Sequence, residues 1–126
     1  MREHHLALSI GLALLLAHAA ASAGGNPAKG ADHYAEECGD CHSVSPGKNK
    51  KGPSLFGVVG RQAVSVADFS GCSDAMKQLG GAWSVERIDA YIAQPRKVVP
   101  GGKMKYDGLA DAQARADIVA YLASLK

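Results

Sequence analysis

Two cysteines with a histidine directly behind the second, Cys38-Gly39-Asp40-Cys41-His42, restrict this chain more than any other feature of its 126 residues. Two thiols at C-x-x-C spacing can each add to a vinyl group on one edge of haem, and the adjacent imidazole reaches the iron from the same face. With three cysteines and five histidines in the whole chain, such a run arises by chance on the order of a few times in a thousand. Other readings of the same residues are a Cys38–Cys41 disulfide, a thioredoxin-like redox pair and a zinc site. A thioredoxin-like pair sits beside a βαβ pattern, which this sequence lacks. A zinc site wants about four N or S ligands, and no second C-x-x-C exists.

A buried cofactor also answers a packing problem. Aromatic residues make up only 6% of the sequence, too little large apolar material to fill the centre of a one-domain chain. The length allows one core and no second domain around a separate site. A formal charge of +2 does not suggest the dense basic surface of a nucleic-acid binder. Residues 1–23 read as a secretory signal peptide: Arg2, an apolar run from Leu6 to Leu16, then Ala21-Ser22-Ala23 as an A-x-A cleavage site. An uncleaved anchor is the alternative, but that run is short for spanning a bilayer. Cleavage would leave a single domain over 24–126 in the periplasm, with only His33 and His42 of the five histidines.

Within that domain, Asn26-Pro27 predicts a cap and first-turn proline for a helix ending near the cysteines, with Ala31, Tyr34, Ala35 and Cys38 on its apolar face. Residues 43–60 are rich in glycine, proline and lysine and read as a loop that can wrap a ligand. Ser73 predicts a short helix to Leu79. Ser84 predicts another from Val85, with Trp83 and Ile88 at the positions of a hydrophobic staple and Pro95 as its stop. Asp111 caps a last helix to Leu125, whose face of Ile118, Tyr121, Leu122 and Leu125 can cross the first helix where Gly30 permits close approach. No alternating strand pattern appears, so the class is all-α with long loops.

A sixth iron ligand would separate electron carriage from ligand chemistry. His33 lies too near the attachment site, and Met76 falls within a helix where methionine commonly fills a core. Met104 follows Pro100-Gly101-Gly102-Lys103 in an irregular segment with no helical stripe to explain it.

These features together resemble the class I c-type cytochromes, close to mitochondrial-type cytochrome c and its soluble bacterial relatives. The resemblance runs from about Gly30 to Leu125 and rests on the haem motif, Gly52-Pro53, Gly60-Arg61, Trp83, Tyr91, Pro95 and Val99 to Met104. It implies the cytochrome c fold: N- and C-terminal helices crossing, and long loops around one covalently bound haem c. It further implies His42 and Met104 as axial ligands, Cys38 and Cys41 as thioethers, the Pro53 carbonyl orienting His42, Trp83 and Arg61 at a haem propionate, and Tyr91 near the methionine sulfur. Two positions depart from the family pattern, Cys72 where a tyrosine is frequent and Gly102 where a threonine is. Once haem takes the other two, the third cysteine, Cys72, has no intramolecular partner; burial is expected, with a reactive thiol or an intermolecular disulfide as the alternatives.

The resemblance also implies a monomeric one-electron carrier and not an enzyme. Its donor would be a quinol–cytochrome c oxidoreductase, and its acceptor a terminal oxidase, a photosynthetic reaction centre or a reductase. Lys29, Lys48, Lys50, Lys51, Lys97, Lys103 and Lys105 would flank the haem edge as a docking face, with Asp107, Asp111 and Asp117 elsewhere. The rivals are a haem enzyme or gas sensor with an open sixth site, and a thiol-disulfide oxidoreductase.

Overall fold

The computed structural model describes residues 24–126, and the expected signal segment, 1–23, lies outside the described residues. Five helices follow in order: α1 (Pro27–Glu37), α2 (Asp74–Leu79), α3 (Val85–Ala93), α4 (Pro95–Val98) and α5 (Ala112–Ala123). Among the described residues there is no strand, only an isolated antiparallel bridge between Gln62 and Ala82. No described helix is long and apolar enough to cross a membrane.

Each longer helix starts where a side chain can accept its orphan N–H groups. Asn26 accepts from Ala28 and Lys29 at 2.9 and 3.1 Å, ahead of Pro27 in the first turn. Ser73 and Ser84 each accept from the third residue onward, Met76 at 3.0 Å and Arg87 at 3.1 Å. Asp111 takes the N–H groups of Gln113 and Ala114. Pro95 stops the preceding helix as expected and also begins a short one. Helix α3 ends at Ala93, and Pro95 then opens α4, because its fixed φ suits the first position of a helix. The buried face of α1 is Gly30 and Tyr34, with Ala35 exposed.

Helices α1 and α5 make the most extensive helix–helix contact in the molecule, and they meet backbone to backbone. A Cβ on Gly30 would lie 1.9 Å from the Asp117 carbonyl oxygen, and one on Gly25 would lie 2.0 Å from that of Ala116. Beside this contact sits Asp117, an acid only 2% exposed. Its carboxylate accepts the Asn26 N–H at 2.8 Å and the Gln113 amide at 3.0 Å, with His33 Nε2 3.7 Å away. Gln113 also donates to the Gly24 carbonyl. These contacts fasten the start of the domain to α5. The hydrogen bonds, led by that from Asn26, hold the Asp117 carboxyl below its ordinary value.

The core gathers Tyr34, Val58, Trp83, Ile88, Tyr91, Val99, Ile118, Val119 and Leu122. The two staple positions, Trp83 and Ile88, are both in it. Tyr34 packs at a tilt on Tyr121, ring centroids 5.6 Å apart. The loop after the cysteines is pinned at its far side: Gly57 N–H donates to Leu125 O, Gly60 N–H to Trp83 O, and Trp83 N–H back to Arg61 O. Thus the long loops are tied to helical elements at a few backbone points and leave a hollow between them.

Gly30→Ala is expected to destabilise the protein by about 3 kcal/mol or more. The gain in helix propensity, about 1 kcal/mol, cannot offset a backbone clash that only separating the helices relieves. Thermal unfolding would show it as a fall of roughly 12 °C or more. Asp117 stabilises through its ionised form, so its contribution is present above the ordinary carboxylate pKa and is lost as pH falls through the lower folded value. Asp117→Asn should therefore lower the thermal midpoint at pH 7, and the deficit should shrink below about pH 4.

Candidate functional site

The hollow is a cavity of about 720 Å³, within the size range of cofactor sites. Its walls bring together every residue singled out in the sequence as a site candidate: Cys38, Cys41, His42, Pro53, Arg61, Trp83, Tyr91 and Met104. Core residues Val58, Ile88, Ile118 and Leu122 complete an apolar lining.

The cysteines arrive at the C-terminal end of α1, where Cys38 caps the helix and its N–H donates to Tyr34 O. A tight turn continues through Cys41 and His42, whose N–H groups both bond to Cys38 O. This turn gathers the two thiols and the imidazole at one end of the cavity. Burial, with Glu37 and Cys41 adding to it, pushes the Cys38 thiol up to about 11. His42 Nδ1 lies 2.8 Å from the Pro53 carbonyl oxygen. A carbonyl only accepts, so Nδ1 carries the hydrogen and Nε2 keeps its lone pair. Burial lowers the His42 pKa, opposed by the bond to Pro53, with the positive charges of Arg61 and Lys50 lowering it further. The imidazole is thereby kept neutral, the form that binds a metal. Gly52 is required beneath it, since a Cβ there would come within 2.3 Å of His42 Cε1.

Met104 enters from the irregular segment after α4. Tyr91 on α3 donates its hydroxyl to Met104 Sδ at 3.7 Å, and burial, then the nearby Cys72, raises the Tyr91 pKa. Trp83 lies against Tyr91 with ring centroids 5.3 Å apart, and the Arg87 guanidinium sits 5.0 Å from the Trp83 ring. Arg61 lines the cavity while donating to Phe56 O at 3.1 Å, and burial lowers its pKa. Cys72, expected to be buried, is half-buried on the cavity wall. Of the lysines proposed to flank a haem edge, Lys51, Lys103 and Lys105 line the cavity. Lys50 instead donates to Gly39 O at 2.6 Å.

Sequence reading missed two contributors. Tyr106 and Glu37 both line the cavity and are joined by a hydrogen bond across 69 positions. Asn49 accepts the Ser54 N–H at 2.9 Å while the Ser54 hydroxyl donates to Ser45 O at 2.7 Å, bracing the loop that carries Pro53. Neither follows a local motif, so only the folded arrangement reveals them.

An apolar cavity, two thiols, a neutral imidazole and a thioether form a donor set suited to covalently held haem. Comparison with known proteins agrees. The family model for cytochrome c matches residues 27–126. The chain belongs to the cytochrome c family. It has the all-α cytochrome c fold, binds covalently attached haem c, and is a haem electron carrier. It is 43% identical to cytochrome c2 of Rhodopila globiformis over 102 residues, covering 81% of this chain and 95% of that one. It is 42% identical to cytochrome c2 of Rhodomicrobium vannielii over 113 residues, 89% of each chain. It is also 42% identical to cytochrome c of Theileria annulata over 99 residues, 78% of this chain and 84% of the relative.

Gly52→Ala should push the His42 ring away from the Pro53 carbonyl. Loss of that bond would let the Nδ1 proton exchange with solvent several-fold faster, on the order of the roughly 1 kcal/mol a neutral hydrogen bond contributes. NMR exchange measurements on that proton provide the check.

Proposed function

We propose that this cytochrome is an exported monohaem carrier in which Cys38 and Cys41 form the thioethers and His42 and Met104 hold the iron. The observation that carries this reading is that one apolar cavity is lined by the C-x-x-C-H turn and by Met104, 62 or more positions later in the chain. Bound haem supplies the one-electron chemistry, cycling between Fe(II) and Fe(III).

The protein's part is to hold and tune. Pro53 O fixes the His42 tautomer and ring orientation, which raises the basicity of Nε2. The Tyr91 hydroxyl withdraws electron density from the Met104 sulfur and anchors it. Arg61 and Trp83, both on the cavity wall, would meet a haem propionate, where a guanidinium would lessen the cost of burying a carboxylate. The apolar lining from Val58, Ile88, Ile118 and Leu122 excludes water and favours the reduced, less charged centre. No bond of a substrate is made or broken, so no acid or base is needed, and a sixth position taken by Met104 disfavours the reading of a haem enzyme or gas sensor.

Electrons enter from a quinol–cytochrome c oxidoreductase and leave to a terminal oxidase, a photosynthetic reaction centre or a reductase. Exposed Lys51, Lys103 and Lys105 at the cavity, with Lys48 and Lys97 on neighbouring segments, favour docking on acidic patches of such partners. The carrier works as a monomer in the periplasm after cleavage near Ala23. That reading is supported by the signal pattern of residues 1–23 and by a family match that begins at residue 27.

Protein exported alongside a haem-attachment system should carry one haem by intact mass, show sharp reduced bands, and show a weak far-red methionine–iron band when oxidised. Met104→Ala should abolish the far-red band and keep the covalent haem. A colourless product of unmodified mass, made where a control cytochrome matures, would overturn the assignment. Electron-transfer rates with an acidic partner should fall as salt rises toward 0.15 M, where charges about 8 Å apart are already screened.

A further inference from the structure

The segment that carries Met104 is held in an unusual way. Residues 103–108 make no backbone–backbone hydrogen bond, as donor or acceptor, among the described residues. Only the flanks are fixed: Gly102 N–H donates to Val99 O at 3.0 Å, and Leu109 N–H donates to Ile92 O at 2.9 Å. Gly101 and Gly108, at φ 82° and 103°, turn the chain at either end. No side chain fits at Gly108, where a Cβ would meet Ala93 O at 2.2 Å.

Between those flanks three side-chain interactions remain. Arg96 pairs with Asp107 at 2.9 Å, but the side chains are 74% and 88% exposed, and such surface pairs contribute little. Tyr91 reaches Met104 Sδ at 3.7 Å, a weak bond to sulfur. The third is the bond from Tyr106 Oη to Glu37 Oε2 at 2.5 Å, with the tyrosine half-buried. It is short and charge-assisted, the strong class of hydrogen bond. The Glu37 side chain has no other hydrogen bond or ion pair among the described residues, and Glu37 immediately precedes Cys38. A single bond therefore joins the segment bearing Met104 to the helix end bearing the first attachment cysteine, and both partners line the cavity.

We propose that Tyr106 is a positioning residue whose bond to Glu37 latches the 103–108 segment closed and sets how often the Met104 sulfur leaves the sixth position. The inference rests on Met104 as the axial ligand. Opening the segment means breaking this bond, so the open fraction is set by it, and an added ligand that needs the open state binds in proportion to that fraction.

The test is a titration of the ferric holoprotein with imidazole, read by loss of the far-red methionine–iron band. Tyr106→Phe keeps the ring and removes only the hydroxyl, and it should raise the apparent imidazole affinity roughly tenfold or more, the scale of a hydrogen bond to a charged group. Glu37→Ala should do the same, Glu37→Gln less, and the double variant no more than either alone. In a Met104→Ala background, read by the Soret shift, Tyr106→Phe should change nothing because there is no sulfur left to displace. Exchange of the Leu109 amide, whose N–H to Ile92 O bond closes the segment, should accelerate in Tyr106→Phe. Unchanged imidazole affinity in Tyr106→Phe, or an equal gain in the Met104→Ala background, would overturn the latch. Absence of the far-red band from the unsubstituted protein would instead sink the ligation reading before any variant is made, and exchange of the Leu109 amide would still decide whether Tyr106 holds the segment.

Discussion

The space enclosed by the loops governs the rest of the molecule. At about 24 cal/mol per Å³, a dry void of 720 Å³ would cost on the order of 17 kcal/mol. That exceeds the stability of most domains of this size; a mouth open to water reduces the figure but wets an apolar lining. The chain has too few aromatic residues to close the space itself, and Ile118, Leu122, Val58 and Ile88 are shared between the core and the cavity wall. Filling the site is therefore part of folding, and the same side chains that stabilise the protein set the polarity around the iron.

Several polar groups of this lining have a partner that fixes their direction. His42 has Pro53, Met104 has Tyr91, Arg61 has Phe56 O, and Tyr106 has Glu37. A buried polar group without such a partner loses the hydrogen bonds that water would have given it. The pairings join segments far apart in the chain, so they orient the site and tie the loops together at once. Outside the lining, Tyr34 has a buried hydroxyl with no hydrogen-bond partner among the described residues, and burial pushes its pKa up to about 12.

What the sequence made legible was local or dictated by residue type. Asn26, Ser73, Ser84 and Asp111 mark helix starts because a cap needs only its own neighbours. Gly30 marks the crossing because no other residue lets two backbones meet. Every candidate of the site could be named from motif and resemblance, and all of them line one cavity. What stayed hidden depends on partners distant in sequence. The burial of Asp117 was not legible because Asn26, whose N–H it accepts, lies 91 positions away. The Tyr106–Glu37 bond lies across a similar gap, and neither residue belongs to a motif. Pro95 was legible as the stop of α3, but the short helix it opens was not, because a proline suits a first helical position as well as a stop.

The crossing of α1 and α5 has a consequence for the order in which the molecule can form. Bringing together groups 91 positions apart costs about 2 kcal/mol more chain entropy than closing a ten-residue loop. None of it is recovered until both helices are present. An eleven-residue helix such as α1 is marginal by itself in water. For a chain that emerges N-terminus first, α1 and the cysteine turn therefore remain pliable until α5 has followed, and the attachment turn stays open to modification through most of the chain's emergence.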